Sequence, residues 1–491
     1  MSTPSESPAL VSRRTVPESS GEPENGEARG ILTPDLIKDI RESFQLAGAD
    51  RARQNAVAHN EIDELALNHA VLAGQDTHFS HQVRSKGVTN QKKSGRCWMF
   101  AALNTLRPHV IREHGMEDFE FSVAYLQFWD KLERANLYLE EIIELRHRDY
   151  LDRDWEAVNR WMLHDGGWWN FLSALVTKHG VVPAAAMPET TSSSHTGPLN
   201  RVLQRLVRSR AARMLERHAD GAGIDELRAM KREALSEVYR LLVISLGEPP
   251  ASFQWRFKRR RKTKGDDTEL ASAEDKDLSP EESFTPTSFF QRFIGQSLDE
   301  LVCLYHDPKN EIGRHYRFDR ARNIVGTACM GFVNVGIDTL KQAAIRSILA
   351  NESMWFAVNM SVDQSRKLGV MHDRLFDYES LFGTDLSLDK ADRARFHEGA
   401  SNHAMALVGV DLDAGGRPRK WLAENSWGKD EVESGRWTLG DSWFDEHAYT
   451  IIVHRRHVPE DVLARFEDEP VTLPAWYPGA TGVAGPATQD L

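Results

Sequence analysis

The chain has 491 residues, of which 41% are hydrophobic and 27% charged, with a formal net charge of -12. That length calls for one elaborated domain or about two to three packed subregions, and the composition suits a folded, water-soluble protein. The negative balance argues against a surface devoted to nucleic acid, apolar runs such as "LLVISL" and "MWFAV" stop well short of the ~18 residues of a membrane span, and no apolar signal segment opens the chain.

Residues 1–30, rich in Ser, Pro, Glu and Gly, read as a disordered leader. Residues 31–198 read as an N-terminal region and helical lobe. Thr33-Pro34 offers a cap and a first-turn proline, and aromatic-rich helical segments from Phe119 to Leu163 end sharply at "HDGGWW". Between them, "TNQKKSGRCWMFAALNTLR" turns from a polar loop into an apolar helix at Cys97. Residues 199–330 read as a helical and charged insertion: 3.6-residue periodicity to Gly247, then a basic run from Arg256 to Lys264 and an acidic run to Glu282. Residues 331–470, with "WFAVNM", "HAMALVGVDL", "KWLAENSWG", "GRWTLG" and "YTIIVHRR", read as a lobe of antiparallel strands. Residues 471–491 form a C-terminal arm and tail. Helices first and strands last make the fold class α+β.

Cys97, Cys303 and Cys329 are an odd set without a C-x-x-C pair, so a disulfide framework or thiolate zinc site is not expected and a reducing cytoplasm is. His447, His454 and His457 fall on one strand and its flank, where joint coordination is not expected. The sequence calls for no metal, no cofactor and no membrane.

Chemistry gathers around four residues. Cys97 stands in the first turn of a helix, where free N–H groups and the helix dipole favour thiolate. His403 sits at the mouth of a strand in "SNHAMALVG", and Asn425 ends the next strand in "ENSWG". Two adjacent antiparallel strands would bring these ends together, letting the asparagine oxygen hold one imidazole nitrogen while the other faces a thiol. Trp427 would screen that bond from water, and Gln91 would donate, with the Cys97 N–H, to a developing oxyanion.

The segments "NQKKSGRCW", "NHAMALVG" and "ENSWG" resemble the papain-like cysteine peptidases. Within them, "VTNQKKSGRCWMFAALN", "FEFSVAYLQFWDKLERAN", "DGGWW", "WFAVNMSVD" and "HVPEDVLARFEDEPVTLPAWYPGA" resemble the bleomycin hydrolase and aminopeptidase C family, over about Ile31 to Ala480. The resemblance implies a two-lobed papain-like fold with a helical insertion and C-terminal arm. It makes Cys97 the nucleophile, His403 the general acid/base, Asn425 the orienting residue and Gln91 the oxyanion donor. It also implies substrate contact at Asp165, Gly166, Gly167 and Trp427, aminopeptidase action on short peptides, and a homohexamer with sites facing a central chamber.

Two other functions stay open: a nucleic-acid-binding protein using the basic run 256–264, and an endopeptidase whose C-terminal tail leaves the cleft. The tail beyond Ala480, "TGVAGPATQDL", departs from the family pattern. It is expected to be trimmed to near Ala480 by the enzyme itself, the alternatives being that it threads and blocks the cleft or leaves it.

Overall fold

The first helix starts as its sequence predicts: the Thr33 hydroxyl accepts the Leu36 N–H at 3.2 Å and Pro34 opens the turn of Pro34–Ser43. The computed structural model describes residues 30–44, 46–83, 87–161, 163–259, 278–295, 298–429, 432 and 435–483. The leader up to residue 29, most of the charged runs (260–277) and the tail beyond Val483 lie outside the described residues. The chain divides into two compact units, one ending at Leu65 and one running from Ala66. The first carries Pro34–Ser43 and Gly48–Val57, neither of which contains a fully buried residue.

In the second unit the helices Cys97–Glu113, Val123–Glu144, Arg153–Trp161 and Trp169–His179 share one core, built on Trp98, Leu106, Val110, Leu126, Phe128, Val158 and Leu172. The helices Thr196–Ala219 and Ile224–Leu246 join it through single stripes. Leu199, Leu203, Val207, Ala211 and Met214 are buried on one, and Leu227, Ala234, Val238, Leu242 and Leu246 on the other. Spacings of three, four and seven keep each set on one face. Burying each leucine contributes roughly 1.5–3 kcal/mol.

The strands are β1 (His81–Gln82), β2 (Phe253–Trp255), β3 (Glu282–Phe284), β4 (Leu301–Tyr305), β5 (Arg314–Phe318), β6 (Gly331–Asn334) and β7 (Met354–Val358). They continue with β8 (Gln364–Ser365), β9 (Val370–Met371), β10 (His403–Leu412), β11 (Pro418–Glu424), β12 (Arg436–Gly440), β13 (Ala448–His454) and β14 (Val471–Leu473). All but β2 and β3 join a sheet of order β14-β5-β6-β4-β13-β7-β10-β11-β12-β9-β8, with β1 on β10. β2 and β3 pair antiparallel on either side of the charged runs.

Two features differ from the expectation. The sheet is mixed, since β4–β6, β9–β12 and β5–β14 are parallel. Apart from β1 it also starts earlier in the chain than expected, at Leu301, so the stretch assigned to the insertion up to 330 contributes β4 and β5. "LVCLY" and "RHYRF" stand among charged residues that mask them, and two of their partners, β13 and β14, lie far along the chain.

β10 is central and covered on both faces. Ala404 faces the helical core, while Met405 and Leu407 enter a second core with Trp421, Phe444 and the helix Ile337–Leu349. That explains its nearly unbroken apolar run. The antiparallel pairing of β10 with β11 carries Asn425, just past β11, to the start of β10, where His403 stands.

Candidate active site

Cys97 is the first residue of Cys97–Glu113, with Arg96 as its N-cap, and it is fully buried. The helix is locked to β11 by a buried ion pair, Arg107 Nη2 to Glu424 Oε1 at 2.7 Å. Across the cleft, His403 Nε2 meets Asn425 Oδ1 at 2.8 Å. Because an amide oxygen only accepts, that bond places the ring proton on Nε2 and leaves Nδ1 as the basic nitrogen. Nδ1 is buried and has no hydrogen-bond partner among the described residues. The next N–H along the strand, that of Ala404, lies where it favours thiolate at Cys97. The thiol and the open imidazole nitrogen thus share one end of β10.

The Trp427 ring lies 5.0 Å from the His403 ring, and the Arg366 guanidinium stands over the Trp427 ring, 4.6 Å from its centre. Gln91 is fully buried: its Oε1 accepts from Ser426 Oγ at 2.6 Å, its Nε2 donates to the Ser94 carbonyl at 2.6 Å, and its backbone N–H donates to the Ser426 carbonyl at 2.7 Å. Ser426, read in the sequence only as part of "ENSWG", thereby anchors the glutamine beside Asn425.

Burial governs the charges. Desolvation pushes the Cys97 thiol up to about 12, against the lowering effect of the Ala404, Trp98 and Cys97 N–H groups. It pulls His403 down to about 4, partly offset by the Asn425 bond. In this covered state the separate charges are disfavoured.

What covers the thiol is the chain's own C-terminal segment. Val483 pairs antiparallel with Gly167: Gly167 N–H donates to Val483 O at 3.1 Å and Val483 N–H to Gly167 O at 3.0 Å. Cys97 Sγ stands 3.7 Å from the same Val483 oxygen. Close approach is allowed by Gly482, whose φ is +86° and where a Cβ would fall 2.9 Å from the Gly167 backbone. At Gly167 a Cβ would instead strike the Trp98 ring, 2.6 Å away. Glycine is therefore needed there to pack on Trp98.

Asp165 and Gly166 are placed differently from the expectation of substrate contact. Gly166 N–H donates to His164 Nδ1 at 2.8 Å and its carbonyl accepts from Arg134 Nη2. The Asp165 carboxylate is buried and takes four donors from the protein: Lys131, Asn200, Thr196 and the Gly95 N–H. These partners come from distant segments, so no local spacing could announce them. Of the three residues "DGG", only Gly167 lies paired along the cleft strand.

A thiol on a helix N-terminus facing a histidine–asparagine pair on a sheet is the arrangement of a cysteine peptidase. The chain belongs to the Peptidase C1-like family, which it matches over residues 31–480. It is 35% identical over 445 residues to aminopeptidase W of Lactobacillus delbrueckii subsp. lactis, spanning 91% of this chain and 98% of that protein. It is 32% identical over 437 residues to human bleomycin hydrolase, spanning 87% and 93%. The solved structure of PepW from Lactobacillus rhamnosis HN001 superposes with a TM-score of 0.86 at 33% identity, over 92% of this chain and 99% of that one. No helix among the described residues is long and apolar enough to cross a membrane.

Proposed function

We propose that the protein is a cysteine aminopeptidase that removes N-terminal residues from short peptides in the cytoplasm, working as a homohexamer. The observation that carries the exopeptidase reading is the Val483–Gly167 pairing. An extended substrate binds a cleft by strand addition, and here the chain's own segment occupies the place of the upstream residues. With the arm there, the cleft is closed to the middle of a longer peptide running through it, which favours attack at a peptide's end.

The chemistry is acyl transfer. The Cys97 proton passes to His403 Nδ1, and sulfur forms a bond to the substrate carbonyl carbon. Oxyanion charge is held by the Cys97 N–H and by the Gln91 amide proton not spent on Ser94. The C–N bond breaks as His403 returns its proton to the leaving amine. His403 then takes a proton from water, whose oxygen displaces sulfur and frees the new carboxylate. Asn425 holds the ring throughout, as the 2.8 Å bond supports.

The test is hydrolysis of aminoacyl fluorogenic substrates by the full chain and by Cys97→Ala. Turnover should vanish in the variant and N-blocked peptides should be spared by the parent. Wild-type rates in Cys97→Ala would remove the nucleophile assignment, and cleavage of N-blocked peptides would favour the endopeptidase reading.

The same contact favours trimming of the tail beside Val483, near the Ala480 expected from sequence, because it is Val483 that the thiol meets. Intact mass of the active protein should show loss of the residues beyond this point, and Cys97→Ala should keep them; equal masses would defeat the idea. A nucleic-acid role for the run 256–264 would instead show steeply salt-dependent binding that survives Cys97→Ala.

A further inference from the structure

The loop from Gln91 to Arg96 has no second cysteine to cross-link it, and Lys92 within it adopts a φ of 54°, a conformation that side chains disfavour. Asn90 Oδ1 holds Lys92 itself, accepting its N–H at 2.8 Å. The far end of the loop is held by a carboxylate. Asp165 Oδ2 accepts the Gly95 N–H at 3.1 Å and the Thr196 hydroxyl at 2.5 Å. Its Oδ1 accepts Lys131 Nζ at 2.5 Å and Asn200 Nδ2 at 2.7 Å. Its backbone carbonyl accepts Trp98 Nε1 at 2.8 Å, on the residue after the thiol.

Thr196 and Asn200 open the long helix Thr196–Ala219, and the same region grips the loop twice more. Lys93 N–H donates to the Ser194 carbonyl at 2.9 Å and the Lys93 carbonyl accepts the Thr196 N–H at 3.2 Å. Arg96 forks onto both Glu189 oxygens at 2.9 Å each. Loop, nucleophile helix and the start of the inserted helices are thereby one hydrogen-bonded body.

We propose that Asp165 is a positioning residue for the reaction: held by Thr196 and Asn200, it lets the inserted helices set where the Gly95–Cys97 peptide groups stand. The proposal rests on Cys97 being the nucleophile and its N–H an oxyanion donor. Misplacing such groups by about 1 Å from outside the site can cost roughly a hundredfold in rate. Asp165 has a second effect of opposite sign, since its charge raises the Cys97 thiol pKa. The other charged or titratable groups bearing on this pair are His403 on β10, Lys131 and Arg134 on Val123–Glu144, His164, and Arg366, whose charge acts on His403.

The two effects separate experimentally. Thr196→Val removes one hydroxyl without changing charge, so kcat per titratable thiol should fall about tenfold or more with KM unmoved and the pH profile of alkylation unmoved; Thr196→Ser should restore kcat. Asp165→Asn should lower kcat further while moving the alkylation profile to lower pH, because the carboxylate is gone and Lys131 remains. A Thr196→Val enzyme that melts lower yet keeps wild-type kcat would overturn the proposal, and this outcome decides even if Asp165→Asn fails to fold. Activity surviving Cys97→Ala would instead strike the nucleophile reading, a distinct result.

Discussion

Cys97 and His403 are both fully buried, and burial disfavours the charged form of each. With the thiol at about 12 and the imidazole at about 4, the neutral pair is favoured in the covered state, whereas the helix N-terminus led us to expect a thiolate at Cys97. Desolvation outweighs the helix N-terminus here. The individual side chains still predict distinct losses. His403→Ala should remove turnover and neutral-pH alkylation together, because no other base meets the thiol. Asn425→Ala should be milder in alkylation, since it frees the ring without removing it. Gln91→Ala should lower kcat by roughly 10²–10³ with alkylation retained, as loss of an oxyanion donor does; an unchanged kcat would exclude Gln91 from that role. Stopped-flow alkylation beside steady-state kinetics reads all three. Cys97, His403 and Asn425 stand out in the sequence because each begins or ends an apolar segment, whereas Gln91 lies in a polar loop and was singled out by its place before Cys97 and by the resemblance. Ser426, Lys131, Thr196 and Asn200 were not, because hydroxyls, amides and amines in helical or loop text look the same whether they face solvent or a buried carboxylate.

Among elements, the strands with strong apolar runs were readable, and the weak ones were not. β7, β10, β11, β12 and β13 fall where "MWFAV", "HAMALVGVDL", "KWLAE", "RWTLG" and "YTIIVH" place them, since burial on one or two faces writes itself into hydropathy. β4 and β5 are as long as β7 and β12 but stand among charged residues that mask them, and the sheet order depends on pairings between distant segments. The C-terminal arm is the element whose path matters most and whose composition says least. Thr481, Gly482 and Val483 read as a loose tail, yet Val483 is fully buried against Gly167 and the thiol. Its removal should therefore act on chemistry. A chain ending at Ala480 exposes Cys97 and His403 to water, which lowers the thiol's pKa and raises the imidazole's, and restores the ion pair. Each unit by which the thiol falls multiplies the thiolate fraction about tenfold. Alkylation at pH 7 should accelerate by at least that factor, and N-blocked peptides should become substrates. An unchanged alkylation rate would mean that the arm is not what desolvates the thiol.

For the molecule as a whole, the same burial predicts a particular acid sensitivity. His403 and His306 are drawn down to about 4 and His164 to about 3, each chiefly by burial. His164 Nδ1 accepts the Gly166 N–H at 2.8 Å, a bond that a proton on that nitrogen would destroy. In the unfolded chain these rings take up protons near pH 6.5, while in the folded protein they resist until about pH 3 to 4. The unfolded state then binds more protons across that interval, so stability falls as pH falls. A shift from 6.5 to about 4 makes each of His403 and His306 worth about 3 kcal/mol over the interval, a sizeable part of the ~5–15 kcal/mol of an ordinary domain. Asp165 adds a later step. Burial raises it, but Lys131, Thr196 and Asn200 outweigh burial and hold it below the usual carboxylate range, so its contribution is present above pH 4 and lost only beneath it. Urea unfolding at pH 7.5, 6.5, 5.5 and 4.5 should therefore show midpoints already dropping between 6.5 and 4.5, before the carboxylates titrate. His306→Gln, remote from the thiol, should flatten that slope by about one proton's worth, roughly 1.4 kcal/mol per pH unit. A midpoint that stays level down to pH 4.5 would mean that these histidines are hydrated or already charged in the folded protein, and that the dry cleft inferred at Cys97 is open.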